Sequence, residues 1–418
     1  MVCQFALVPL TLHYLDKTQY GIWLTLASVI GWFSFFDIGI GNGLRNKLSE
    51  ALAVNNVHLA RIYVSTSYAL VSIIFLFIIV LFGIINPFLN WAEILNVSAE
   101  MNAEISKMVL YVFTFFCLSF IMTLIGNVLY AHQMSAVNGI IGPIGSMVSL
   151  VIIYILTLTT ESSLFYVALT FSAVPVVVLF IANALLFRKR FSYIAPRFEF
   201  VDFKFSSQLL GLGFQFFVVN IAVLVLFSTA NIILTQLYGP EEVTVYNIAY
   251  KYFTVAIMIS GIVLSTYWSA FTEAFVKRDF SWIRKSISKL VIVAFLLSAG
   301  VILSAVVSDF AFHLWVGDSV KVPNSMKITM CLYAIINLIS SPYIIFINGT
   351  GKIRLQVYAS VISTIVTIPL AIFFCRSLAL GPSGVIVAMI CSTLPTAIVW
   401  RIQYKKIMSE TATGIWNK

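Results

Sequence analysis

Only 10% of the 418 residues are Asp, Glu, Lys or Arg, against about 25% in an average globular chain, while 61% are hydrophobic and 35 are phenylalanine. So few charges cannot cover a water-soluble surface, which excludes a set of soluble domains and makes lipid the main solvent. The net charge of +9 is spread along the chain with no RNP-like or zinc-finger motif, so nucleic acid is excluded as a partner; five scattered cysteines and four isolated histidines exclude a disulfide scaffold and a metal centre.

A helix needs about 20 apolar residues to cross the hydrocarbon core. In chain order, stretches free of Asp, Glu, Lys and Arg predict spans at 18–36, 62–92, 108–131, 139–160, 162–187, 205–240, 252–272, 290–308, 328–351, 355–375 and 377–400. A further apolar segment, Met1 to about His13, is too short to cross, and it lacks the basic start and small-residue cleavage site of a signal peptide. With the first span running outward, 19 basic residues fall on the even-numbered connectors and the C-terminal tail and five on the odd ones. That asymmetry predicts a multi-pass protein with both termini cytoplasmic.

The chain also overlies itself at an offset of 223: Leu48-Ser-Glu-Ala-Leu52 on Phe271-Thr-Glu-Ala-Phe275, Arg61 on Arg284 and Ser65 on Ser288. An offset even in spans predicts two like-oriented six-helix bundles around a central cavity, an all-α membrane protein of about 12 helices. The expected division is an N-terminal bundle at 1–190, a cytoplasmic linker at 191–205, a C-terminal bundle at 206–401 and a tail at 402–418. Carried back to the start, the repeat places the first span at about −17 to 14, so the chain as given is expected to lack the first half of helix one.

Ionisable groups inside spans are expensive and therefore candidates for function. Asp37 sits near the inner end of its span in Phe36-Asp-Ile-Gly-Ile-Gly-Asn-Gly-Leu-Arg45, where Gly39 and Gly43 have the spacing that lets backbones approach closely. Its carboxylate reads either as a gate latch paired with Arg45 or Arg284, or as a proton- or cation-coupling group. Lys251, one or two turns from the outer end of its span, reads either as a snorkelling anchor among tyrosines or as a cavity cation facing an anionic ligand. Gln215, Asn220 and Asn231 make the seventh span polar for its depth, and divide between interhelical hydrogen bonds and the lining of a wet cavity. Five prolines inside spans, Pro143, Pro175, Pro342, Pro369 and Pro395, permit bending. The connectors 44–61 and 271–289 read as amphipathic helices on the membrane surface, with Leu44, Leu48, Leu52 and Leu59 toward lipid and Arg45, Lys47 and Arg61 toward anionic head groups. No Walker A loop, G-x-S-x-G or H-E-x-x-H occurs, so an enzyme is not expected.

In the segments Tyr14-Leu-Asp-Lys-Thr-Gln-Tyr-Gly-Ile-Trp23, Phe36 to Asn46, Ser49-Glu-Ala-Leu52 and Leu237-Tyr-Gly-Pro-Glu-Glu242, the chain resembles the Wzx-type bacterial polysaccharide-unit flippases. These belong to the superfamily shared with multidrug and toxic compound extrusion proteins. The resemblance covers the whole chain in topology and 14–66 and 237–289 in motifs. It implies a flippase of the bacterial inner membrane that uses no cofactor. By alternating access it would move undecaprenyl-diphosphate-linked oligosaccharide from the cytoplasmic to the outer leaflet for O-antigen assembly. A polysaccharide polymerase and glycosyltransferases would be partners beside membrane lipids. The implied roles are substrate binding for Arg45, Lys251, Asn220, Asn231 and Gln215, and gating or coupling for Asp37, Arg61 and Arg284. The alternatives are a cation-coupled multidrug exporter of the same fold and a non-transporting scaffold for a glycosyltransferase complex.

Overall fold

The structure, a computed structural model, describes residues 10, 11, 14, 15, 19, 23, 39–94, 99–316 and 321–417. The described residues are helical apart from turns and connectors. Among the described residues ten helices are long and apolar enough to cross a membrane, and each falls on one of the charge-free stretches above. Of the expected span at 18–36 only residues 19 and 23 are described, and Asp37 lies outside the described residues.

The chain divides into two compact units, Met1–Gly213 and Phe214–Lys418. In the first, α1 (Ile40–Ala53), α2 (Val57–Ile85), α3 (Asn102–Ala131), α4 (Ser135–Thr159) and α5 (Leu164–Arg188) pack as a bundle in which α3 touches all the others. The chain then passes through α6 (Ser206–Tyr238). The second unit holds α7 (Pro240–Val276), α8 (Phe280–Val306), the short α9 (Ser308–Val316), α10 (Asn324–Thr350), α11 (Arg354–Arg376) and α12 (Ser383–Met408), with α10 packed on α7, α8 and α12. At about 1.5 Å per residue the 29 residues of α2 reach roughly 43 Å, more than the hydrocarbon core requires.

Each unit closes an apolar interior of its own. Leu44, Leu48, Val64, Ile125 and Leu129 are buried in the first, and Leu234, Tyr246, Phe253, Met326, Leu338 and Ile386 in the second. Outside them lie exposed apolar side chains such as Phe77, Ile84, Leu296, Leu303 and Ile365, as suits helices solvated by lipid. The five prolines all sit within helices, Pro143 in α4, Pro175 in α5, Pro342 in α10, Pro369 in α11 and Pro395 in α12.

The internal repeat recurs in the local geometry of the two units. Helices α1 and α7 end 223 residues apart, at Ala53 and Val276, and α2 and α8 begin 223 apart, at Val57 and Phe280. Between them, Asn55 and Arg278 both take left-handed backbone, at φ 55° and 57°. The next residues cap the following helix: Asn56 Oδ1 accepts from Leu59 N at 3.0 Å, and Asp279 Oδ1 accepts from Trp282 N at 2.9 Å. These caps satisfy N–H groups that the first helical turn leaves without intrahelical partners. Asn56→Ala and Asp279→Ala are each expected to cost about 1 kcal/mol, read as similar, small drops in the thermal midpoint of purified protein.

The surface-helix reading of 44–61 and 271–289 is overturned. In both segments the chain turns within three residues, 54–56 and 277–279, between long helices. Leu44 and Leu48 are 0% exposed, and so is Phe271 at the position matching Leu48. The leucine spacing that suggested a lipid-facing stripe is the stripe α1 buries inside its own bundle. Toward the surface Lys47 pairs with Glu50 at 2.7 Å and Lys277 with Glu273 at 2.6 Å.

Candidate functional site

Glycines govern the entry to α1. A Cβ on Gly43 would lie 2.6 Å from the Leu209 carbonyl oxygen at the start of α6, and one on Gly213 would lie 3.0 Å from Gly39 C and Ile40 N. The small-residue spacing read from the sequence is therefore a crossing of two backbones with no room for a side chain. Two residues further along α1, Arg45 is 4% exposed, with its guanidinium 4.6 Å above the Tyr130 ring of α3. A planar guanidinium lying over an aromatic face keeps its charge away from water at reduced cost. Elsewhere in the bundle α1, α2 and α3 line a cavity of about 40 Å³, with Gly41, Val71, Thr123 and Asn127 among its residues, room for a few waters.

Lys251 has the opposite setting. On α7, Tyr246, Ala249 and Phe253 are buried, whereas Lys251 is exposed on the far face of the helix. Because α7 begins at Pro240, Lys251 lies 11 residues in, about 16 Å along the axis. It is thus about three turns from the helix end, not one or two. The charge-free-stretch rule had cut the span at Lys251 itself.

The polar residues of α6 separate by environment. Asn231 Oδ1 accepts from Asn247 Nδ2 of α7 at 2.9 Å, an interhelical bond that occupies the acceptor in packing. Asn220 is exposed on its unit. The Oε1 atom of the half-buried Gln215 is enclosed without a hydrogen-bond partner, an acceptor that a water would satisfy. Arg61 donates to the Ser192 carbonyl at 3.0 Å and lies 4.8 Å over the Phe200 ring, so it ties the 191–205 segment onto the start of α2. Arg284, its repeat counterpart, is exposed and donates only weakly to the Phe280 carbonyl of its own helix, at 3.4 Å.

Several polar contacts escaped the sequence reading. Tyr68 donates to Asn183 Oδ1 at 2.5 Å, Tyr63 to Gln208 Oε1 at 3.0 Å, and Thr272 to the Gly349 carbonyl at 2.7 Å. Lys327, 7% exposed, pairs with Asp309 at 2.7 Å. Tyr130 under Arg45 was equally unforeseen. The partners in these pairs lie between 18 and 145 residues apart, and no local spacing announces them.

No protein-family profile matches the chain. It is 24% identical over 365 residues to a curated protein of Yersinia pseudotuberculosis named "Putative O-antigen export protein", covering 84% of this chain and 80% of that one. It is 23% identical over 308 residues to a "Putative O-antigen transporter" of Salmonella typhimurium, covering 71% and 67%. Among solved structures, a multidrug and toxic compound extrusion (MATE) protein in its bent conformation superposes with a TM-score of 0.78 at 16% identity, over 98% of this chain and 97% of the other. An outward-facing multidrug resistance transporter of the MATE family and MOP superfamily gives 0.76 at 15%, over 98% and 94%. A MOP superfamily transporter from Pyrococcus furiosus, described as having a binding pocket of reversed polarity, gives 0.76 at 15%, over 99% and 94%.

Proposed function

We propose that this chain, a membrane transporter of the MOP superfamily and not an enzyme, is a Wzx-type flippase for lipid-linked oligosaccharide. Its substrate would be a diphosphate-linked sugar unit on a polyprenyl lipid, carried from the cytoplasmic to the outer leaflet of the bacterial inner membrane with both chain termini cytoplasmic. The observation that carries this reading is Lys251, a cation exposed on its unit about 16 Å along a membrane helix. An ammonium so placed is costly in hydrocarbon, and an anionic group such as a diphosphate offsets that cost.

The repeat sharpens the choice of residues. Several positions shared by the halves are structural: the caps Asn56 and Asp279, and the carboxylates Glu50 and Glu273, each paired with a nearby lysine at an unshared position. The candidate charges are not shared, since Asp37, Arg45 and Lys251 stand opposite Ser260, Trp268 and Ser28 at the 223-residue offset. A charge that one half requires and the other omits is not a requirement of the helical scaffold.

In this proposal Lys251 meets the diphosphate, while Asn220 and Gln215 offer hydrogen bonds to sugar hydroxyls. Arg45 contributes positive potential from within its bundle rather than direct contact, because so little of it is exposed. Gating stays with Asp37 and with Arg61 and Arg284, which stand at the starts of α2 and α8, and transport proceeds by alternating access. A cation-coupled drug exporter would call for carboxylates deep in a bundle. Asp37, the one acidic residue in a charge-poor stretch near such a depth, does not match that requirement as well as Lys251 matches an anion. Reconstitution decides between them: proteoliposomes are expected to move a fluorescent polyprenyl-diphosphate oligosaccharide between leaflets and to leave ethidium gradients intact. Ethidium efflux without lipid transfer would reverse the assignment.

A further inference from the structure

The two units differ at the end where the basic residues gather. After α5 the chain closes a turn with Phe191 N donating to the Leu186 carbonyl at 2.8 Å, and after α12 Thr411 N donates to the Lys406 carbonyl at 3.0 Å. Phe191 and Thr411 are thus equivalent. In the first unit Phe191 is 1% exposed, its ring 4.4 Å from that of His132, and His132 Nε2 shares a 2.7 Å hydrogen bond with the Tyr193 hydroxyl. Rings fill the space between the helix ends. In the second unit Thr411 is exposed, and the turn between α10 and α11, Thr350 to Ile353, carries no ring.

A cavity of about 290 Å³ opens beside that turn, lined by Phe275, Arg278, Phe280, Lys352, Glu410 and Asn417 among others. One water needs only roughly 10–15 Å³ of such space. The ammonium of Lys352 donates to Asn417 Oδ1 and lies 4.8 Å over the Phe275 ring. It has three donors, so others remain for a ligand. Arg278 adds a fork of donors, held at the cavity by its left-handed backbone at φ 57°. Gln403, 0% exposed, fixes the rim by donating to the carbonyls of Lys352 at 2.9 Å and Trp416 at 3.3 Å. Partial burial lowers the Lys352 ammonium from its ordinary pKa, a cost that an anion beside it would relieve. Among the described residues of the lining, one carboxylate, Glu410, stands against the two cations, a net positive charge.

We infer that this cavity at the basic end of the second unit, between the turn at Lys352 and the 410–417 segment, binds a phosphate-bearing anion through Lys352 and Arg278. The ligand is either soluble phosphate or diphosphate, or the head group of an anionic phospholipid, and the chemistry of recognition is the same. This site lies apart from Lys251 and does not depend on the flippase reading.

The test uses the full chain in phosphatidylcholine nanodiscs, titrated calorimetrically with inorganic diphosphate, with and without phosphatidylglycerol in the disc. Saturable binding is expected, weakened about tenfold by Lys352→Gln and by Arg278→Gln. Ala412→Phe, which puts a ring into the lining of the cavity, is expected to abolish it, while Lys352→Arg keeps it. Diphosphate binding unchanged by phosphatidylglycerol supports a soluble anion. Competition between the two, with phosphatidylglycerol retained in native mass spectra of wild type and lost in Ala412→Phe, supports a head group. Absence of both kinds of binding overturns the inference, as does binding that survives all three disabling variants. Circular dichroism melting identifies any variant that fails to fold, and the disabling variants that do fold then carry the comparison.

Discussion

Lys251→Ala is expected to slow transfer of a lipid-linked oligosaccharide between leaflets about 100-fold in proteoliposomes, with folded protein recovered at wild-type yield. The magnitude follows from removing one member of a desolvated charge pair, which costs roughly 2–5 kcal/mol, and each 1.4 kcal/mol is a factor of ten. Yield is preserved because the core face of α7 is carried by Tyr246, Ala249 and Phe253 and not by Lys251. Lys251→Arg keeps the cation and should retain much of the rate. The competing picture, a lysine that stretches to the interface among tyrosines, predicts an alanine variant that transports normally. Wild-type transfer by Lys251→Ala would falsify the anion-binding role.

The second large effect concerns folding. Gly43→Val should lose most of its properly assembled protein, and whatever is recovered should melt roughly 10 °C lower. An added Cβ meets the Leu209 carbonyl at 2.6 Å, and the neighbouring contact, Gly213 N at 3.4 Å, is also backbone. No side chain can rotate aside to make room, so a helix must move, and overpacking of this kind costs about 3 kcal/mol out of a total stability of roughly 5–15 kcal/mol. Gly211→Val is the control. It lies on the same turn of α6, nothing stands within 4 Å of an added Cβ, and its melting point should stay near wild type. Equal melting of the two variants would show that α1 and α6 do not cross as closely as described.

Much of this protein is legible in its sequence. Spans are readable because lipid offers no hydrogen bonds, so a crossing segment must be both apolar and helical, and composition alone reveals it. The repeat was readable through Glu50, Arg61 and their counterparts Glu273 and Arg284, because polar identity in a turn is not forced by the membrane. The close approach at Gly39 and Gly43 was readable because only glycine tolerates it.

Other features needed the third dimension. The leucine stripe of 44–52 has the same periodicity whether it faces lipid or a neighbouring helix, and packing alone sent Leu44 and Leu48 inward. Asn220 and Asn231 are the same residue type on one helix, yet only Asn231 meets Asn247, since the outcome depends on which helix lies alongside. Sequence by itself determined that this chain is a bundle of membrane helices with an internal duplication, because solvent and backbone impose those rules residue by residue. Tertiary structure alone decided which of its few charges are enclosed, as at Arg45 over Tyr130, and which stand open, as at Lys251, because burial belongs to neighbours distant in the chain.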